Sequence, residues 1–351
     1  MVRDVPLINP LKNYSILIVD ADVEMAQVLS YMLGEMGFAT VRSTSNGKDA
    51  VSLIQTTPFD FIITEWNVQQ LDGIGLLEFI RKNPLSVNPS IPVIMLTGRL
   101  EQVDAALARD YGVNEYIKKP FTAKLIYSCL ERIFEQPRSF VVAKSFVGPD
   151  RRSASKRPEN IAERRSNQTA PTSKPKQKSE VKEILENAHN SIAPKIWIPD
   201  LSLKIRLGKN MKLEDFITFD IINKAQEAIE SITSDALQWV NDNVNDLELL
   251  YEVLTLPSPP PTITTDIGNI VLNINSRAGT FGYNRASEIA YTLYLFTKNK
   301  LDPKNKIHQV IIQKHMQVLK TILDNKMSGD AGEIGEKIAT DLKTLINKYS
   351  G

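Results

Sequence analysis

Between residues 14 and 136 the hydrophobic period of the sequence changes repeatedly, and this alternation constrains the fold more than any other feature. Short apolar runs, Ser15–Asp20, Ala39–Arg42, Phe61–Glu65, Ile91–Thr97 and Glu115–Lys118, read as strands. Between and after them lie Glu24–Met36, Lys48–Gln55, Ile74–Lys82, Val103–Asp110 and Ala123–Phe134, whose apolar residues recur at helical spacing. Strands that are apolar almost throughout, each followed by a helix, predict a parallel sheet covered on both faces. In such sheets ligands bind beyond the carboxyl ends of the strands. The carboxylate delivered to the end of the third strand, Glu65, is therefore the candidate site.

The rest of the chain has a different texture. From Gly148 to Lys182 it is rich in Ser, Pro, Lys and Arg and has no aromatic residue. Residues 144–195 carry 12 Lys/Arg against 6 Asp/Glu, whereas 1–143 carry 13 against 16 and 196–351 carry 17 against 19. The basic charge is thus concentrated in the middle, in a segment with little to bury, and we expect a largely disordered basic linker over 137–195. Beyond it nearly all the chain has helical spacing: Leu213–Ile232, Asp235–Leu254, Thr265–Ala278, Arg285–Lys298, Lys306–Lys326 and Glu333–Tyr349. Such helices with short connections predict an antiparallel bundle over 196–351.

Several function classes are disfavoured. No apolar run approaches the ~20 residues needed to cross a bilayer. The N-terminal residues lack the apolar core of a secretory signal, and a single cysteine, Cys129, fits a reducing compartment, so the expected location is the cytoplasm. There is no Cys/His metal spacing, Ser-His-Asp order or phosphate-cradling glycine loop. The linker could attract nucleic acid or acidic lipid by charge, but it has no base-stacking aromatics. The acidic helical half offers no recognition helix, which argues against nucleic acid.

Four motifs in order carry a resemblance to the receiver domains of two-component response regulators. They are ILIVDAD (Ile16–Asp22), DFIITEWNVQQLDG (Asp60–Gly73), IPVIMLTG (Ile91–Gly98) and YIKKPF (Tyr116–Phe121). The resemblance covers 14–136 and implies a flavodoxin-like α/β doubly wound fold with strand order 2-1-3-4-5. It implies that Glu65 occupies the phosphoacceptor position, where an aspartate is usual. Asp20 and Asp22 would form an acidic pocket, Ala21 would stand at the position of a metal-ligating carboxylate, Thr97 and Tyr116 would be switch residues, and Lys119 the lysine that meets the phosphoryl charge. With Ala21 in place, the oxygens left for Mg²⁺ are those of Asp20, Glu65 and Asn67, enough for weak binding only. The expectation is no cofactor and a site retired as chemistry and kept as shape.

LNINSRAGTFG (Leu272–Gly282) resembles the phosphohistidine helix of histidine phosphotransfer (HPt) domains. Leu272 stands at the histidine position, Asn275 at the lysine and Ser276 at the glycine. Leu272 is either an exposed anchor for a partner or a core residue. His308 and His315, on one later helix, are structural by their apolar surroundings, and His315 is the first alternative acceptor to test. The implied function is a non-enzymatic bacterial signalling adaptor whose partners are proteins: a histidine kinase, a receiver or an HPt protein. A phosphorylation-responsive regulator is the alternative, and a nucleic-acid-binding regulator acting through the linker is the weaker one.

Overall fold

The computed structural model describes residues 9–98, 102–151, 195–197, 202–208, 210–231 and 233–349. The chain divides into two compact units, Met1–Lys118 with Ala123–Gln226, and Lys119–Thr122 with Glu227–Gly351.

The first unit contains the expected sheet, with strands β1 (Ser15–Val19), β2 (Thr40–Thr44), β3 (Phe61–Thr64), β4 (Val93–Thr97) and β5 (Glu115–Lys118). Their order is β2-β1-β3-β4-β5, all parallel. β3 and β4 are buried at every residue, as the continuous apolar runs require, while β2 at the edge is polar and mostly exposed. The helices are α1 (Val23–Glu35), α2 (Gly47–Thr56), α3 (Gly73–Lys82), α4 (Gln102–Asp110) and α5 (Ala123–Glu135). Three of them begin on a side-chain cap: Asp22 accepts from Met25 N, Asn46 from Asp49 N and Asp72 from Gly75 N. Leu17, Ile62, Leu76, Leu77, Ile80 and Met95 are among the residues of a core cluster around this sheet. Each such side chain contributes roughly 1.5–3 kcal/mol by burial.

The structure corrects the expected linker. β6 (Phe140–Ala143) and β7 (Phe146–Pro149) form an antiparallel hairpin, and β8 (Lys195–Trp197) pairs with β6 on its other edge. Both ends of the expected linker are therefore strands of the first unit; residues 152–194 lie outside the described residues. The division between units also falls at 226/227, not at 196. The helix expected from Leu213 begins later: Leu213–Asp215 is a 3₁₀ turn, and α7 runs over Phe219–Ser231, after α6 (Ser202–Leu207).

In the second unit α8 (Thr233–Leu254), α9 (Ile263–Thr280), α10 (Asn284–Asn299), α11 (Lys306–Asp324) and α12 (Gly332–Tyr349) pack side by side. α9 contacts α8 and α10, and α11 contacts the same two helices, which closes a bundle around Val244, Ile274, Ile289, Ile311 and Leu319. The chain reverses between α9 and α10 at Gly282, whose φ of 81° suits a residue without a Cβ. Asn275 Nδ2 donates to the carbonyl and hydroxyl of Ser287 at 2.9 Å, tying the two antiparallel helices together.

Candidate functional site

The carboxyl ends of β1 and β3 bring the sequence-marked acids together, because these strands are neighbours with Val19 opposite Thr64. Asp20 follows β1 and is 5% exposed; its backbone N–H donates to the Thr44 carbonyl and its Oδ1 accepts from Asp22 N at 3.0 Å. Glu65 follows β3 and is 9% exposed, with its N–H on the Val19 carbonyl at 2.7 Å. Its Oε1 accepts from Trp66 N at 2.6 Å. Gly73 explains the glycine of the LDG motif: a Cβ there would lie 2.3 Å from the Glu65 carbonyl oxygen. The turn into α3 is thereby pressed against the site.

Asp22 has a different task from the one expected. Its Oδ1 accepts from Met25 N at 3.0 Å and caps α1, satisfying one of the orphan donors of the helix start. Ala21 between them is exposed and carries no ligand atom. Asn67 is exposed and Val68 buried in the loop after Trp66. A hard cation wants several oxygens on one side. Asp20 and Glu65 each already accept a backbone N–H, and Asp22 caps a helix. Among the described residues no three His, Cys, Asp or Glu side chains stand together as a metal site would need. The donor set does not fit a resident Mg²⁺, and no step is derived through one.

Thr97 at the end of β4 is fully buried. Tyr116 on β5 is half-buried against the core cluster of the first unit. Lys119 is 4% exposed and falls in the second unit with Pro120, Phe121 and Thr122. In that unit Leu272, at the HPt-histidine position, is half-buried on α9, while Asn275 and Ser276 are buried. Gly279, one turn beyond Asn275, has no room for a side chain: a Cβ would lie 2.5 Å from Pro120 Cγ and 2.8 Å from Ser287 Oγ.

The later histidines are structural in position. His308 accepts from Asp302 N and meets Phe296 edge-on. His315 is fully buried, with Nδ1–H donating to the Ile311 carbonyl at 2.8 Å and Nε2 without a hydrogen-bond partner. Burial pulls its pKa down to about 4, against a smaller opposite pull from the Ile311 carbonyl. A phosphoryl donor cannot reach it in this bundle, which removes it as an alternative acceptor.

The fold and this site define the class of protein, and the comparisons agree. Residues 16–131 match the family model of the response regulator receiver domain. The chain is 35% identical over 125 residues to chemotaxis protein CheY-3 of Vibrio cholerae, covering 36% of this chain and 95% of that protein. It is 33% identical over 121 residues to chemotaxis protein CheY of Pseudomonas aeruginosa, covering 34% of this chain and 96% of that one. Among solved structures, the receiver domain of a signal transduction histidine kinase from Syntrophus aciditrophicus is 28% identical, covering 34% of this chain and 89% of that chain at a TM-score of 0.32. The chain belongs to the response regulator receiver family of two-component signalling through this segment.

Proposed function

We propose that this protein is a non-enzymatic signalling adaptor of two-component type, in which a receiver fold is kept as a binding shape while phosphoryl turnover is lost. The observation that carries the reading is the fate of the acids at the end of β1: Ala21 has no carboxylate and Asp22 caps α1. Glu65 adds support, since its carboxylate is engaged by Trp66 N and carries one charge where a phosphoryl group would carry ~1.5–2. In this reading Thr97 and Tyr116 keep the switch positions and Lys119 the lysine position. The helical half acts as a degenerate HPt-like bundle, with Leu272 as an apolar anchor instead of a nucleophile. The partners are proteins of the same signalling chemistry, a histidine kinase, a receiver or an HPt protein, in the cytoplasm.

Incubation of the full chain with a small phosphodonor and Mg²⁺ tests the reading. The expected result is no phosphoryl adduct by intact mass, and a measurable adduct in the double variant Ala21→Asp with Glu65→Asp, which restores both short carboxylates. A stoichiometric, Mg²⁺-dependent adduct on the unaltered chain would instead establish the phosphorylation-responsive regulator. For the helical half, Leu272→Asp should abolish partner capture with the helical content unchanged; loss of the fold would make Leu272 a core residue.

A further inference from the structure

The end of the first unit's sheet opposite Glu65 holds a polar cleft, lined in part by Asn88, Ser90, Gln136 and Arg138. It has room of about 60 Å³. One water needs roughly 10–15 Å³ on this measure, so the cleft accommodates a group of a few heavy atoms.

The carboxylates and the Asn114 amide oxygen on its wall are each engaged. Asp60 accepts from Ser15 N at 2.8 Å and pairs with Arg206, and Glu115 is held by Arg132 at 2.8 Å. Asn114 Oδ1 accepts from both Arg81 Nη2 and Val93 N at 2.9 Å. The donors are in surplus. Arg138 gives one N–H to the Asn114 carbonyl, out of the five a guanidinium carries. Asn88 has its Oδ1 fixed by Ser90 N and Oγ, which orients its amide and leaves both Nδ2 hydrogens without an acceptor among the described residues. The Gln136 side-chain amide likewise donates to no described residue.

The charge around the cleft points the same way. Arg81, directly behind Asn114, is fully buried, and its four hydrogen bonds go to neutral oxygens. Burial lowers its pKa to about 9, and Arg138 adds to the lowering. Burial lowers the pKa of Arg138 too; Glu115 and Asp150 oppose this, while Arg109 and Arg132 reinforce it. A half-buried guanidinium with unused donors, beside a buried one that has no carboxylate on it, is relieved by an anion.

We infer that this cleft binds a small tetrahedral oxyanion of the phosphate class, gripped by Arg138 and oriented by the amides of Asn88 and Gln136. The site is separate from the Glu65 end of the sheet, so it would let the protein respond to a free anion without any phosphoryl transfer. Water alone would satisfy the same donors one by one, but it carries no charge to pair with the Arg138 guanidinium.

The test is isothermal titration of the full chain with inorganic phosphate, in buffer matched in ionic strength with chloride. Saturable binding at one site is expected, weakened by about tenfold or more in Arg138→Gln, the usual scale for losing a charge-assisted contact. Asn88→Asp keeps the acceptor for Ser90 and places a carboxylate in the cleft, so it should weaken binding similarly with the circular dichroism unchanged. It decides the matter alone if Arg138→Gln fails to fold. No phosphate heat above the chloride control overturns the inference, and so does wild-type affinity in the folded variants, which would place the anion elsewhere on the chain.

Discussion

Both units bury an ionisable side chain completely, and they treat it in opposite ways. In the first unit Arg81 directs Nε to the Gly112 carbonyl, Nη1 to Pro89 and Ile91, and Nη2 to Asn114, with the Phe140 ring 5.6 Å from its guanidinium carbon. In the second, His315 makes one hydrogen bond and leaves Nε2 bare; Asn243 Oδ1, Asn275 Oδ1 and Ser276 Oγ are buried without partners in the same bundle. A satisfied buried cation locks its surroundings, because four backbone and side-chain oxygens depend on it. A buried neutral histidine with a bare ring nitrogen weakens its surroundings and makes them sensitive to pH. The first unit satisfies its buried charge, and the bundle leaves buried polar atoms without partners among the described residues.

The largest expected effect is at Arg81. Arg81→Met would leave the oxygens of Pro89, Ile91, Gly112 and Asn114 buried without a donor, a loss of roughly 3–5 kcal/mol on the scale of broken buried ionic networks. Hydrogen exchange of the full chain should then show β4 and the β6–β7 hairpin opening while α8–α11 keep their protection. Unchanged exchange in β4 would mean that the carbonyls find water and the contrast between the units is false.

Next comes the acid response of the bundle. The unfolded chain protonates His315 near its ordinary pKa of 6.5, whereas the folded bundle refuses the proton until about pH 4. Between those values the unfolded state binds more protons. Stability is therefore full above pH 6.5 and falls as the pH drops toward 4, by about 3 kcal/mol in total. Urea unfolding followed at the methyl signals of Ile311 and Ile322 should show a lower midpoint at pH 5 than at pH 7. His315→Leu should flatten that dependence and raise the midpoint at pH 5. A pH-independent midpoint in the unaltered bundle would show that Nε2 is served by water.

The smallest effect separates capping from ligation at the β1 turn. Asp22→Ala should cost about 1 kcal/mol through loss of the α1 cap, read as faster exchange at Met25 N. Asp22→Asn, which keeps an acceptor, should cost a few tenths of that. If Asp22→Asn were as damaging as Asp22→Ala, the charge of Asp22, not its capping oxygen, would be what the turn needs.

Much of this was legible in the residues. The strands of the central sheet were readable because strand and helix periods are local properties. Glu115–Lys118 matches β5 at both ends, and the other strands shift by a residue or two where the last turn or first bridge depends on a neighbour. The helices of the bundle were readable for the same reason. The β6–β7 hairpin was missed although its signal was present: two runs of Phe, Val and small residues, FVVA and FVGP, separated by Lys144-Ser145. The surrounding basic, Pro-rich composition masked it. Asp22 was placed in an acidic pocket by resemblance, while its position one residue before α1 already fitted an N-cap.

Arg81 was hidden for a deeper reason. In the last turn of α3 an arginine reads as a solvated complement to the helix dipole, and its neighbour Lys82 is such a residue, half-exposed and paired with Glu78. The same ambiguity hid His315, whose apolar helix face was visible but whose bare Nε2 was not. The periods of the central strands and bundle helices, the order of the motifs and the loss of a carboxylate at Ala21 were legible because each is written in adjacent residues. Which charged groups are satisfied depends on packing between distant segments. The partners of Arg81 come from positions 8 to 33 residues away, and burial is a property of the packed chain that no local pattern carries.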